Sequence, residues 1–144
     1  MARFIELHWG PAVVAHDTVF HPAGLPGFLA WLPDEPLAGL LTYEVRDGVL
    51  EIVTLDAVRQ WAGTGTALVE AAAAEAASRG CPEVRLTTTN DNLDALRFYQ
   101  RRGFRLAGLR PGAAGRARRL KPQIPLTGLY GIPLNDELEL ARPV

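Results

Sequence analysis

The stretch "RQWAGTGTAL", residues 59–68, follows the apolar run "VLEIVTLDAV" and precedes the alanine-rich "VEAAAAEAASRG". Small, flexible residues therefore sit where a buried strand hands over to a helix. Gly63 and Gly65 at such a helix mouth let a ligand approach the backbone closely, and several N–H groups there point outward without partners. A helix start of this kind attracts phosphate, aided by a positive dipole end equivalent to about half a charge. A plain tight turn from strand to helix would use the same two glycines, so the stretch has to be weighed with the rest of the chain.

Two phosphate-binding designs are disfavoured at once. A Walker loop needs a Lys before its Ser or Thr, and "GTGTAL" has none. A dinucleotide fold places its glycine turn after the first strand and adds a third glycine, whereas here several strands precede the turn and Leu68 fills that slot.

Working outward toward the N-terminus, "GFLAWL", "LAGLLTYEV" and "VLEIVTLDA" read as three strands separated by "PDEP" and "RDG". Asp47-Gly48 is a hairpin signal because both residues tolerate positive φ. Before them, "AVVAHDTVFHPAGLPG" reads as a small edge strand and a loop. "MARFIELHWG" fits either a helix or a strand, with the helix preferred.

Toward the C-terminus, Ala67, Leu68, Ala71, Ala72 and Glu75 recur at helical spacing over residues 64–79, with Gly80 as the stop. "EVRLTTT" is then a strand, Asn90 or Asp91 can cap the helix "NLDALRFYQRR", and "FRLAGL" is a further strand. The central β-helix-β unit is expected to be a right-handed, parallel crossover. The last third holds a basic short helix around "GRARRLK", a long loop and a final strand "DELELA". The basic cluster fits a solvated face or an anion site.

Composition bounds the remaining possibilities. A length of 144 residues suits one domain, and 48% hydrophobic content with a net charge of -1 describes a globular chain without an electrostatic call for nucleic acid or membrane. No stretch reads as a signal peptide or a spanning helix, so a cytoplasmic protein is expected. The single Cys81 excludes an internal disulfide and reads as a small residue opening a strand. The three histidines have no metal-ligand spacing, and no metal is expected.

"QWAGTG" fits the pattern Gln/Arg-x-x-Gly-x-Gly/Ala, and "LTTTNDNLDALRFYQRRGFRLAG" fits Asn-x-x-Ala-x-x-Phe-Tyr-x-x-x-Gly-Phe. In order and spacing, the two together resemble the GNAT superfamily of N-acetyltransferases over residues 37–109, and "GIPLNDELEL" is similar to a small bacterial branch of it. The resemblance implies an α/β (α+β) fold: a mixed, mostly antiparallel sheet with a central β-α-β crossover and helices on both faces. Only about ten residues precede "GPAVVAHD", which leaves the first strand of that fold missing or supplied by a partner and favours a homodimer.

The resemblance also implies acetyl-CoA as cosubstrate. Its diphosphate would lie on the amides of Gln60, Trp61, Ala62, Gly63, Thr64 and Gly65, with Thr66 and Thr64 hydroxyls as extra donors. The pantetheine arm would bond to backbone at Val53 and Leu55 as an added strand. Asn92 matches the position that contacts this arm. Tyr99 matches a tyrosine that protonates the leaving thiolate, and helical spacing places it two turns beyond Asn92 on one face. Trp61 and Ala57 depart from the family's usual residues.

An acceptor amine near pKa 10 is about one part in a thousand neutral at pH 7, so a base is needed. By strand alternation Glu51 shares a face with Val53 and Leu55 and points into the cleft; Asp56, on the other face, is the alternative. Either also reads as a plain surface residue. The Leu55 N–H is placed to receive the oxyanion. The acceptor would be a small-molecule or exposed protein amine, with His8, Trp9, His16, His21 and Tyr130 placed toward it by location alone. The alternative function is a non-catalytic acyl-CoA-binding or sensor module.

Overall fold

The computed structural model of the protein describes residues 5, 9–58 and 63–144. Ile5 and Trp9 are helical, in line with the preferred reading of the N-terminus. A separate two-stranded hairpin follows, β1 (Val13–Ala15) with β2 (Thr18–Phe20), where the sequence suggested one edge strand and a loop. Its turn is made by His16 and Asp17, both at positive φ. Then come β3 (Gly27–Leu32), β4 (Glu35–Arg46), β5 (Val49–Ala57), α1 (Thr64–Ser78), β6 (Glu83–Thr89), α2 (Leu93–Arg101), β7 (Arg105–Arg110), α3 (Ala113–Leu120) and β8 (Glu137–Pro143). No helix among the described residues is long and apolar enough to cross a membrane.

The main sheet has six strands in the order β3-β4-β5-β6-β8-β7. Every neighbouring pair is antiparallel except β5 and β6, which α1 joins as the expected parallel crossover. The β4–β5 turn uses Asp47 and Gly48 at φ 52° and 74°, the backbone that a tight hairpin with right-handed strand twist requires. Gly80, at φ 73°, ends α1, and the Cys81 N–H returns to the Ala76 carbonyl.

The two faces of the sheet differ in chemistry. On one, α1 presents Leu68, Val69, Ala72 and Ala76 to Leu41, Leu50, Ile52, Val84, Leu86 and Leu140, and α2 adds Tyr99 to the same core. The alanines let α1 lie close to the strands, and Cys81 is a buried member of this core. Over the other face lies the β1–β2 hairpin, with α3 packed against β1. Helices thus occupy both faces, as expected.

The cap of α2 differs from expectation. Asn92 is the N-cap, its Oδ1 accepting from the Ala95 N–H. Asn90 and Asp91 serve the late loop instead: Asn90 Oδ1 accepts from the N–H groups of Asn135 and Asp136, and buried Asp91 accepts from the Leu129 N–H.

Two irregularities in β5 position the site. Thr42 pairs with Thr54 but Tyr43 pairs with Ile52, so Val53 is an extra residue, a bulge. A one-residue slip sends every later side chain to the opposite face. Leu55 therefore joins Leu41 and Tyr43 on the helix side, whereas Asp56 sits opposite Leu40 on the hairpin side, together with Thr54 and Glu51. The second irregularity is that β5 pairs with β6 only at residues 50–52 against 84–86. Beyond Ile52 and Leu86 the strands part, and β6 continues alone along β8.

Candidate active site

Where β5 leaves β6, an open cleft of about 640 Å³ lies between the mouth of α1 and the side of α2. Leu55 and Ala57 supply its strand wall, Gly63 to Thr66 its rim, and Phe98 and Tyr99 its helix wall. Past Ile52, the side of β5 that faced β6 has no strand against it among the described residues, the condition under which an extended ligand adds as a strand.

The two glycines at the rim have different reasons for being glycine. Gly63 is the N-cap of α1 at φ 78°, a left-handed conformation that costs a residue with a Cβ. A Cβ on Gly65 would lie 3.0 Å from the Phe98 ring, so the missing side chain lets α1 and α2 close on each other. Among the described residues no side chain caps α1, and the Ala67 N–H bonds to the Gly63 carbonyl. The N–H groups of the first turn remain directed at the cleft mouth. Gln60, Trp61 and Ala62, like Arg59 and His8, lie outside the described residues.

Tyr99 is 8% exposed, packed edge-on against Phe98 and Phe104, and borders the cleft. Its hydroxyl has no hydrogen-bond partner among the described residues. Burial pushes its pKa well up, and the Asp56 carboxylate across the strand gap adds to the effect. The phenol therefore holds its proton at neutral pH, as an acid must.

The alternation that turned Glu51 into the cleft is overturned. Because of the bulge at Val53, Glu51 does not share a face with Leu55; it lies on the hairpin side, where His16 Nε2 sits 2.9 and 2.8 Å from its two carboxylate oxygens. Asp56 shares that side, where Trp9 Nε1 donates to it. Glu51 nevertheless stands one residue from the last β5–β6 pair. Asn92 is engaged as a helix cap and does not line the cleft.

Sequence reasoning missed the cations of α2. Arg97, Arg101 and Arg102 line the cleft together with Asp94, which pairs with Arg97 at 3.8 Å, so the lining carries more positive than negative side chains. Arg102 lies 3.7 Å over the Phe98 ring and donates to Thr66 Oγ1 at 2.8 Å, fastening the two helices. The i, i+4 spacing of Arg97 and Arg101 was the available signal. In the basic cluster around α3, Arg116 and Arg119 are exposed as a solvated face would have them, while two other cations have a further role. Arg118 donates to the carbonyls of Ile124, Pro125 and Leu134, and Lys121 Nζ to those of Trp9 and Ala12. These cations satisfy irregular backbone that no strand or helix serves.

A sheet parted beside a helix mouth, with a buried tyrosine and arginines around the gap, suits an extended anionic ligand. Residues 4–104 match the Acetyltransferase (GNAT) family. The chain is also 39% identical over 143 residues to the uncharacterized protein YxbD of Bacillus subtilis (strain 168), covering 99% of this chain and 90% of that one. The chain belongs to the GNAT acetyltransferase family.

Among solved structures, a Bacillus subtilis acetyltransferase in complex with CoA is similar at TM-score 0.70 and 22% identity, over 99% of this chain and 83% of that one. A GNAT family acetyltransferase from Elizabethkingia anophelis, with acetyl-CoA bound, is similar at TM-score 0.65 and 21% identity, over 77% of this chain and 71% of that one. Acetyl-CoA is the family's cosubstrate, and the unpaired edge of β5, the uncapped start of α1 and the arginines of α2 fit its pantetheine arm and phosphates.

Proposed function

We propose that the chain is an N-acetyltransferase that moves the acetyl group of acetyl-CoA to a primary amine by direct attack in a ternary complex, with a small molecule or an exposed protein amine as acceptor. The observation that carries the reading is the parting of β5 from β6 beyond Ile52, directly beside buried Tyr99. The pantetheine arm bonds to the backbone of Val53 and Leu55, and the diphosphate rests on the amides of residues 60–65 with the Thr64 and Thr66 hydroxyls at hand. Arg97 and Arg101 add long-range attraction for the phosphates.

The neutral amine attacks the thioester carbonyl carbon, and the resulting oxyanion accepts from the Leu55 N–H. The C–S bond then breaks, and Tyr99 delivers its proton to the departing thiolate. Glu51, beside the point where the strands part, belongs to the group that removes the amine's proton.

Calorimetry with acetyl-CoA followed by thiol-release assays over an amine panel tests the reading. Binding with release on at least one amine is expected. Binding without release on any would make the chain an acyl-CoA-binding module, and no binding would dismiss both. Tyr99→Phe is expected to lower turnover about 10²-fold while leaving the acetyl-CoA Kd close to wild type.

A further inference from the structure

On the hairpin side of the sheet, a recess of about 340 Å³ contains His16, Phe20 and Glu51. We propose that the acceptor amine enters through this recess and that His16 takes up its proton, with Glu51 fixing the imidazole. The inference rests on the acetyltransferase reading and extends it to a residue and a side of entry.

Three observations support it. The first is location: Glu51 pairs with Arg85 one rung before the last β5–β6 pair, so the recess ends next to the point where the two strands separate. The second is the way His16 is held. It occupies a turn at φ 39°, unusual for a residue with a side chain, and two elements pin it there: its N–H donates to Glu137 Oε1 at 2.9 Å, while Arg116 of α3 holds neighbouring Asp17 at 3.1 Å. Glu137 is itself buried and fixed by Arg110.

The third is the charge pattern around the ring. Arg85 is bound to Glu83 and Glu139, Arg110 to Glu137 and Glu139, and Arg46 to Glu44, so these ions compensate one another. Asp47 lies at the exposed hairpin turn. Glu51 is the carboxylate left for the imidazole, and both its oxygens face Nε2. An Nε2–H directed at a carboxylate fixes the tautomer that leaves Nδ1 with a lone pair. The Thr18 hydroxyl is 3.3 Å from Nδ1, a long contact that an incoming ammonium can displace. The His16 side chain is 30% exposed, enough to be reached.

The step balances simply. An N–H bond of the acceptor ammonium breaks, an Nδ1–H bond forms, and the imidazolium is held against the Glu51 carboxylate until water removes its proton. The neutral amine then meets the thioester carbonyl in the strand gap.

The test compares kcat/KM against pH for wild type with His16→Asn, which tolerates the left-handed turn, and His16→Gln. Wild-type kcat/KM is expected to rise with pH through the imidazole ionisation and then level. Both variants should lose roughly 10²-fold at neutral pH and lose that ionisation, with the acetyl-CoA Kd unchanged by calorimetry. A folded variant that keeps the wild-type rate and profile overturns the proposal, as does Glu51→Gln abolishing activity while the His16 variants do not. A second readout needs no activity: in long-range ¹H–¹⁵N spectra, the signals lost in His16→Asn should report an Nε2–H tautomer that Glu51→Gln disturbs. An Nδ1–H tautomer refutes the proposal even if acetyl transfer is found. Failure of acetyl-CoA to bind refutes the acetyltransferase reading independently of that tautomer.

Discussion

Tyr99 packs edge-on between two phenylalanines at the border of the cleft, and its pKa is raised chiefly by burial and further by Asp56. The sign of the stability effect follows. A folded-state pKa above the unfolded value near 10 means that the unfolded chain loses this proton first, so the contribution is intact below about pH 10 and falls away as pH rises beyond it. Tyr99→Phe is therefore expected to flatten the decline of Tm between pH 9.5 and 11, on the order of what one tyrosine can supply; an unchanged decline in thermal melts would contradict this. At Gly65, an added methyl would press on the Phe98 ring, and Gly65→Ala is expected to cost about 1–3 kcal/mol by denaturant unfolding and to weaken acetyl-CoA binding as the helices separate. Both residues were legible in the sequence, but Gly65 only half so. Its place at a helix mouth could be read, whereas the ring against it comes from a residue 33 positions later.

The elements were legible where periodicity is local. Alternation marked β3 to β5, and the alanine spacing marked α1 to within a residue of its end. What could not be read depends on partners: the bulge at Val53 exists only in register with Thr42 and Tyr43, and it reversed the side assigned to Glu51. The basic run of α3 was visible, but its role was not, because the carbonyls that Arg118 serves belong to a loop without periodicity. Arg118→Ala should leave those acceptors short of a donor and cost about 1–3 kcal/mol, read as a lowered unfolding midpoint with catalysis at low temperature preserved. On α2 the effect should be electrostatic. Arg97→Glu with Arg101→Glu is expected to raise the acetyl-CoA Kd about tenfold at low salt, with the difference shrinking as ionic strength rises, since exposed charges are screened beyond roughly 10 Å at 0.1 M. A salt-independent loss in calorimetry would point to a packing defect instead.

Across the whole molecule, the sheet separates two kinds of chemistry, a positive cleft among helices and a recess of compensated ions under a hairpin. Arginine variants in the cleft should change cofactor affinity and His16 variants in the recess should change turnover, with Tyr99→Phe the one cleft variant expected to change turnover alone, a division that paired calorimetry and steady-state kinetics can read. At the edge of the sheet β3 carries Trp31, 71% exposed; light scattering that gives a monomer would dismiss the expected homodimer. The extra residue in β5 has an electrostatic consequence for this division. Were Val53 paired in register instead of bulged, the strand would keep strict alternation, and Thr54 and Asp56 would turn toward the cleft in place of Leu55 and Ala57. A carboxylate would then stand in the channel meant for a polyanion. The bulge thus works as a charge sorter: it keeps a negative group out of the cleft without altering a residue on either side of it.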